Sequence, residues 1–150
     1  MKFTFDTNVF IDSFRSETAA AELLVFLRAA LPFTFLSAVV VQELVSGART
    51  VAAARALERG VVGPFERRRR IFAPSVRAFA ASGRAVAALA KREGWRPDEN
   101  PSLLNDALLA ASCREQGLTL ITNDADFKRL SPFMSGFRYA APWPALAKPH

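Results

Sequence analysis

At 150 residues the chain is long enough for one compact domain and too short for two of ordinary size. Half of it is hydrophobic (51%), with 13 phenylalanines, so it can bury a sizeable core, and disorder is excluded as the default state. A net charge of +6 comes with a single cysteine, Cys113, and a single histidine, the terminal His150; an internal disulfide, a Cys/His zinc site and chemistry run by a histidine base are all excluded.

Taken in chain order, Lys2–Phe5 reads as a short strand rich in Phe and Thr. It ends at Asp6-Thr7-Asn8, where a short helix can begin. Glu17–Leu31 reads as a helix with Ser16 as N-cap and Pro32 ending it. Phe33–Leu36 is a second strand, and Ser37 caps a helix over Ala38–Gly47. Thr50–Gly60 is a further helix, closed by the glycines at 60 and 63. Arg70–Phe72 makes a short third strand before Pro74. Ser75 opens a long helix that runs to about Glu93 and stops at Gly94. Trp95–Pro101 is a polar loop. Ser102–Gln116 is a helix with Gly117 just past its end, Thr119–Thr122 a fourth strand, and Asn123–Leu130 a loop or short helical turn. Phe137–Ala140 is a fifth strand, followed by a proline-rich tail. Strands alternating with helices of these lengths predict an α/β fold, three layers with a mostly parallel sheet of four or five strands between helices.

The charge is unevenly placed. Residues 49–100 carry 12 basic and 5 acidic side chains, and Arg67-Arg68-Arg69-Arg70 stand in a run. Such a segment attracts a polyanion such as nucleic acid, although an arginine-rich solvated face reads the same way. No uninterrupted apolar stretch follows Met1-Lys2, and the longest uncharged run, between Arg28 and Glu43, contains Pro32. It falls short of the roughly 20 residues that a spanning helix needs. The expectation is a soluble, cytoplasmic protein with no leader and no membrane contact.

Without histidine, chemistry must run on carboxylates, hydroxyls, amines or a metal. In open parallel sheets ligands bind beyond the carboxyl ends of the strands. Asp6 follows the first strand, and Asn123, Asp124 and Asp126 follow the fourth. Asp6 alone reads equally as a helix cap, and Asp124 and Asp126 as turn residues. In an extended stretch only one of those two faces the site, Asp124 being nearer the strand end and Asp126 the alternative. Glu43 lies on a small, apolar helix face beside Val39, Val40 and Gly47. Asp106 is more telling, because Leu103, Ala107, Leu109, Ala110 and Cys113 surround it at helical spacing. A carboxylate in that setting carries a high desolvation cost and calls for a basic partner, a hydrogen-bond network or a cation. A set of oxygen ligands with no His and no Cys suits Mg²⁺ or Mn²⁺.

Together Asp6-Thr-Asn-Val-Phe-Ile-Asp, Ser37 with Glu43-Leu44, Asn105-Asp106-Ala-Leu-Leu-Ala-Ala and Leu120-Ile-Thr-Asn-Asp124-Ala-Asp126-Phe127 resemble the PIN-domain family, and most of all its VapC-type toxins. The resemblance implies a parallel-sheet domain and Mg²⁺-dependent endonucleolytic cleavage of RNA that leaves a 5′-phosphate. It places the family's acidic positions at Asp6, Glu43 and Asp106, with the fourth at Asp124 or Asp126, and makes Asp6 and Asp106 the direct metal ligands. Thr122 and Asn123 would shape the same pocket. It also implies a homodimer and a cognate antitoxin whose tail enters the active-site groove, with helices Glu17–Leu31 and Val51–Leu57 as contact surfaces. The fragment between Pro64 and Ser75 matches none of these motifs. The alternative is a non-catalytic RNA-binding module on the same fold. An aspartyl-nucleophile phosphotransferase would want a second Asp where Asn8 stands.

Overall fold

The computed structural model describes residues 1–146; His150 lies outside them. Five short strands, β1 (Lys2–Phe5), β2 (Thr34–Ser37), β3 (Ile71–Phe72), β4 (Leu118–Ile121) and β5 (Arg138–Ala140), form one sheet in the order β3-β2-β1-β4-β5. Every pairing is parallel. The first strand is therefore central. The chain builds outward from it to one side through β2 and β3, then crosses back and builds to the other side through β4 and β5. That reversal makes the β1–β4 seam a topological switch point, where the loops leave a crevice at the carboxyl ends.

Between the strands run α1 (Thr7–Arg15), α2 (Glu17–Ala30), α3 (Ala38–Gly47), α4 (Val51–Leu57), α5 (Gly63–Arg67), α6 (Val76–Glu93), α7 (Pro101–Gln116) and α8 (Asp126–Leu130). Alternation along β1 sorts its side chains between two faces. Phe3 and Phe5 meet Phe26 of α2 edge to face, at ring-centroid distances of 5.3 and 5.8 Å. Trp143 of the tail stacks on Phe26 and closes this layer. Against β4 packs α7, an element lined with buried Leu103, Ala107, Leu109, Ala110 and Ala111, and α6 lies on α7 in turn. The small alanines let α7 approach the sheet and α6 closely, which brings Asp106 near the strand ends.

The local signals for helix ends are met. Ser16, Ser37 and Ser75 accept the N–H groups of Ala19, Val39 and Ala78. Gly94 and Gly117 take left-handed backbone at φ 80° and 68°, where a side chain would be strained. The glycines at 60 and 63 do not close a helix. From Leu57 the chain continues through one π-helical turn, Glu58–Val62, directly into α5. Gly63 permits this, because a Cβ there would lie 2.6 Å from the Glu58 carbonyl oxygen. Pro64 sits in the first turn of α5, where its missing N–H costs nothing. Two of the four consecutive arginines turn back on the fold. Arg68 donates to the Pro64 carbonyl, and Arg70 donates to the Leu31 carbonyl. Among the described residues no helix is long and apolar enough to cross a membrane.

Candidate active site

The register of the central pair builds the site. Phe5 pairs with Ile121, and the Asp6 N–H donates to the Ile121 carbonyl at 2.9 Å. The next residue of each strand, Asp6 and Thr122, therefore stand side by side. Asp6 is the N-cap of α1, as capping chemistry dictates, and its Oδ1 accepts the Thr7 N–H at 2.8 Å. Its Oδ2 accepts the Thr122 hydroxyl at 2.7 Å. The side chain is 5% exposed. Burial raises its pKa; the bonds from Thr122 and Thr7 oppose the rise, and the charges of Glu43 and Asp124 add to it. Capping and site membership are thus two uses of one carboxylate.

Glu43 sits on α3, one helix past β2. Its Oε2 accepts the Thr7 hydroxyl at 2.7 Å, so Thr7 links Asp6 through its N–H to Glu43 through its side chain. Asp106 approaches from α7. Among the described residues the ion pairs are Arg96–Asp98, Arg96–Glu99, Arg129–Glu93 and Arg129–Asp126, and none involves Asp106. Arg114, the one basic residue of its helix, reaches instead to the Ser135 carbonyl. Burial first, then the charges of Asp6, Asp124, Asp126 and Glu43, push the Asp106 carboxyl up to about 8.

Both Asp124 and Asp126 join this group, against the expectation that only one would. The expectation assumed extended chain, but the segment turns. Asp124 Oδ1 accepts the Asp126 N–H at 2.9 Å, and Asp126 opens α8. Asp106, Asp124 and Asp126 each offer a carboxylate oxygen, all within 4.8 Å of one another. Asp6 stands beside this trio with both its oxygens already accepting hydrogen bonds. Asn123 is exposed and donates to the Asp12 carboxylate at 3.4 Å.

Three hard oxygen donors within one small volume, with two more carboxylates beside them, fit a hard divalent cation better than zinc or copper. The observation behind that fit is Asp106, a carboxyl raised by burial and then by four like charges, with no basic partner among the described residues to offset them. Sequence patterns did not reveal Thr7, Arg129 or Glu93. Thr7 had one signal, its place directly after a capping Asp. The Arg129–Glu93 pair had none, since 36 residues separate its members.

A five-stranded parallel sheet with carboxylates gathered beyond its central seam defines an acidic-site α/β domain. A sequence model of the PIN domain matches residues 3–131, and the chain belongs to the PIN-domain family. Among solved structures it is similar to the DNA-bound VapBC complex of Salmonella typhimurium, with 22% identity and a TM-score of 0.68 over 94% of this chain and 98% of that one. It is also similar to FitAB bound to an IR36 DNA fragment, with 18% identity and a TM-score of 0.69 over 99% of each chain. A toxin–antitoxin complex from Klebsiella pneumoniae matches with 25% identity and a TM-score of 0.60 over 96% of this chain and all (100%) of that one. Compared by sequence with curated proteins, the chain matches none.

Proposed function

We propose that this protein is a metal-dependent endoribonuclease and the toxin of a VapBC-type toxin–antitoxin pair, acting in the cytoplasm. The observation that carries the reading is the convergence of Asp6, Glu43, Asp106, Asp124 and Asp126 beyond the β1–β4 seam, with no basic partner for Asp106 among the described residues. Similarity to VapBC and FitAB structures supports the choice of biological class.

In this reading Asp6, Asp106, Asp124 and Asp126 hold Mg²⁺, with Mn²⁺ as a substitute. Such a cation supplies neutralisation of the acidic group, attraction of the scissile phosphate and a water acidic enough to attack at neutral pH. The chain's own residues supply the rest. Thr122 and Thr7 hold the Asp6 carboxylate in one orientation, and Thr7 does the same for Glu43. The Asx turn at Asp124 aims the acidic loop at α7. The arginine-rich middle of the chain attracts the rest of the RNA strand.

The reading includes a protein partner and a second copy of the chain. Large apolar side chains remain exposed on the helices expected to meet them, Leu24 and Val25 on α2 and Val51 on α4, and Phe14 of α1 is exposed as well. The test is to map RNA 5′ ends after parallel expression of wild type and Asp6→Asn. The wild type should leave new 5′-phosphate ends and arrest growth, and the folded variant should do neither. Equal cleavage by the variant sinks the assignment of Asp6. RNA bound but left whole by the wild type in saturating Mg²⁺ or Mn²⁺ sinks the enzyme and leaves the binding module.

A further inference from the structure

We infer that Arg129, shared between Glu93 and Asp126, is a positioning residue that orients the Asp126 carboxylate toward Asp106 and Asp124; the inference rests on the cation-site reading above. Arg129 lies one helical turn from Asp126 and donates to its Oδ1 through Nη1 at 2.8 Å. The rest of the guanidinium faces Glu93, the last residue of α6, with Nε donating to Oε1 at 3.1 Å and Nη2 to Oε2. The Trp95 indole N–H donates to the same Glu93 carboxylate at 2.9 Å. A planar fork is thus fixed at one end by an anchored carboxylate and holds one oxygen of Asp126 at the other.

Asp126 needs this restraint. It opens α8, a helix of only 5 residues whose N-cap, Ala125, has no side chain that can cap; Asp124 holds the Asp126 N–H but not its carboxylate. With Oδ1 held, the direction of the second oxygen is set by the carboxylate plane. Glu93 also keeps the arrangement electrically neutral. Hydrogen bonds from Arg129 and then Trp95 hold its carboxyl down at about 2, so it stays ionised throughout the working range. The positive charge beside Asp126 is therefore matched, and Asp126 keeps its attraction for a cation while losing its freedom to turn.

A charge effect and a positioning effect differ in sign. Removing Arg129 makes the surroundings more negative, which by Coulomb attraction alone tightens cation binding or leaves it unchanged. Loss of orientation weakens it. The experiment is Mn²⁺ binding to the full chain by titration calorimetry, with melting temperatures recorded alongside, for wild type, Arg129→Met, Arg129→Lys and Glu93→Gln. Arg129→Met should bind Mn²⁺ about ten- to a hundredfold more weakly, the range seen when a group supporting a metal ligand is lost. Arg129→Lys should fall between, because a single ammonium cannot span both carboxylates. Glu93→Gln leaves the guanidinium charge unmatched and so weakens binding on either account; it serves as the charge control, and its loss should be smaller than that of Arg129→Met. The ion pairs are about a third exposed, so melting should change little; if Arg129→Met melts early, Arg129→Lys, which keeps the charge and loses the fork, carries the test. Equal or tighter binding by the Arg129 variants, with wild type binding, overturns the positioning role alone. No Mn²⁺ binding by wild type overturns the cation site and this role with it.

Discussion

Thr122 donates its hydroxyl to Asp6 Oδ2 at 2.7 Å, a bond between residues 116 positions apart. The Thr122 hydroxyl oxygen in turn accepts the Asp124 N–H at 2.9 Å. One hydroxyl therefore ties the end of β1 to the acidic turn after β4. Thr122→Val keeps the shape and removes both bonds. A hydrogen bond to a charged group contributes about 1.5–3 kcal/mol, and a loss of that order is expected. Urea unfolding measures it, with Thr122→Ser as the variant that keeps the hydroxyl. The same midpoint for Val and Ser would show that the bond holds nothing.

Thr7 supplies the only hydrogen bond to the Glu43 carboxylate among the described residues. In Thr7→Val the Thr7 N–H still meets Asp6, so the cap on α1 is kept and only Glu43 is released. RNA cleavage should fall on the order of tenfold with the fold intact, as for other groups that orient a site carboxylate. Thr7→Ser should restore most of the rate. Full activity in Thr7→Val would place Glu43 outside the chemistry.

Asp106→Asn should stabilise the protein in EDTA while abolishing cleavage. Burial and then four like charges oppose the Asp106 carboxylate, and the amide removes the charge at almost constant volume. Melting should rise by roughly 3–6 °C, equivalent to about 1–2 kcal/mol in a chain of this size. A clear fall would mean that Asp106 is held by a structural partner.

The same carboxyl gives the metal-free protein a pH dependence of known sign. Unfolded, Asp106 releases its proton near the ordinary 3.8; folded, it keeps it until about 8. Across that window the folded state binds more protons than the unfolded one, so stability falls as pH rises. Asp6, also raised, acts in the same direction. Melting temperatures from pH 4.5 to pH 8.5 in EDTA, roughly spanning that window, should therefore decline. Asp106→Asn should flatten the decline, and so should saturating Mn²⁺ on the wild type. A wild-type profile parallel to that of Asp106→Asn would remove the basis for the prediction.

Sequence patterns resolved those parts of the molecule that rest on short-range rules. Ser16, Ser37 and Ser75 announce helix starts because an N-cap acts within three residues. Gly94 and Gly117 announce helix ends because left-handed backbone favours glycine wherever it occurs. Asp106 stood out because 3.6-residue periodicity alone surrounds it with apolar side chains. Gly60 and Gly63 misled for an equally physical reason. Glycine lowers helix propensity, but here its missing Cβ lets the Glu58 carbonyl approach and the helix run on.

The relations within the site were less legible. That Asp124 and Asp126 stand together depends on a turn closed by the Asp124 side chain, which reverses the alternation of extended chain. That Thr7 meets Glu43 depends on α1 and α3 meeting across the sheet edge. That Glu93 meets Arg129 depends on α6 and α8 packing together. Residue type and spacing identified the carboxylates, whereas their supports come from tertiary contacts that no local pattern encodes.

The strand order has a consequence for the order of events during synthesis. β1 leaves the ribosome first, but its partner β4 and the acidic turn beyond it emerge more than 100 residues later. Until β4 pairs, Asp6 has no Thr122 to hold it and Asp124 has no neighbour across the seam. Long-range parallel pairing of this kind is slow to form. A nascent chain therefore carries no assembled acidic centre until residues 118–126 have emerged and folded against the first strand.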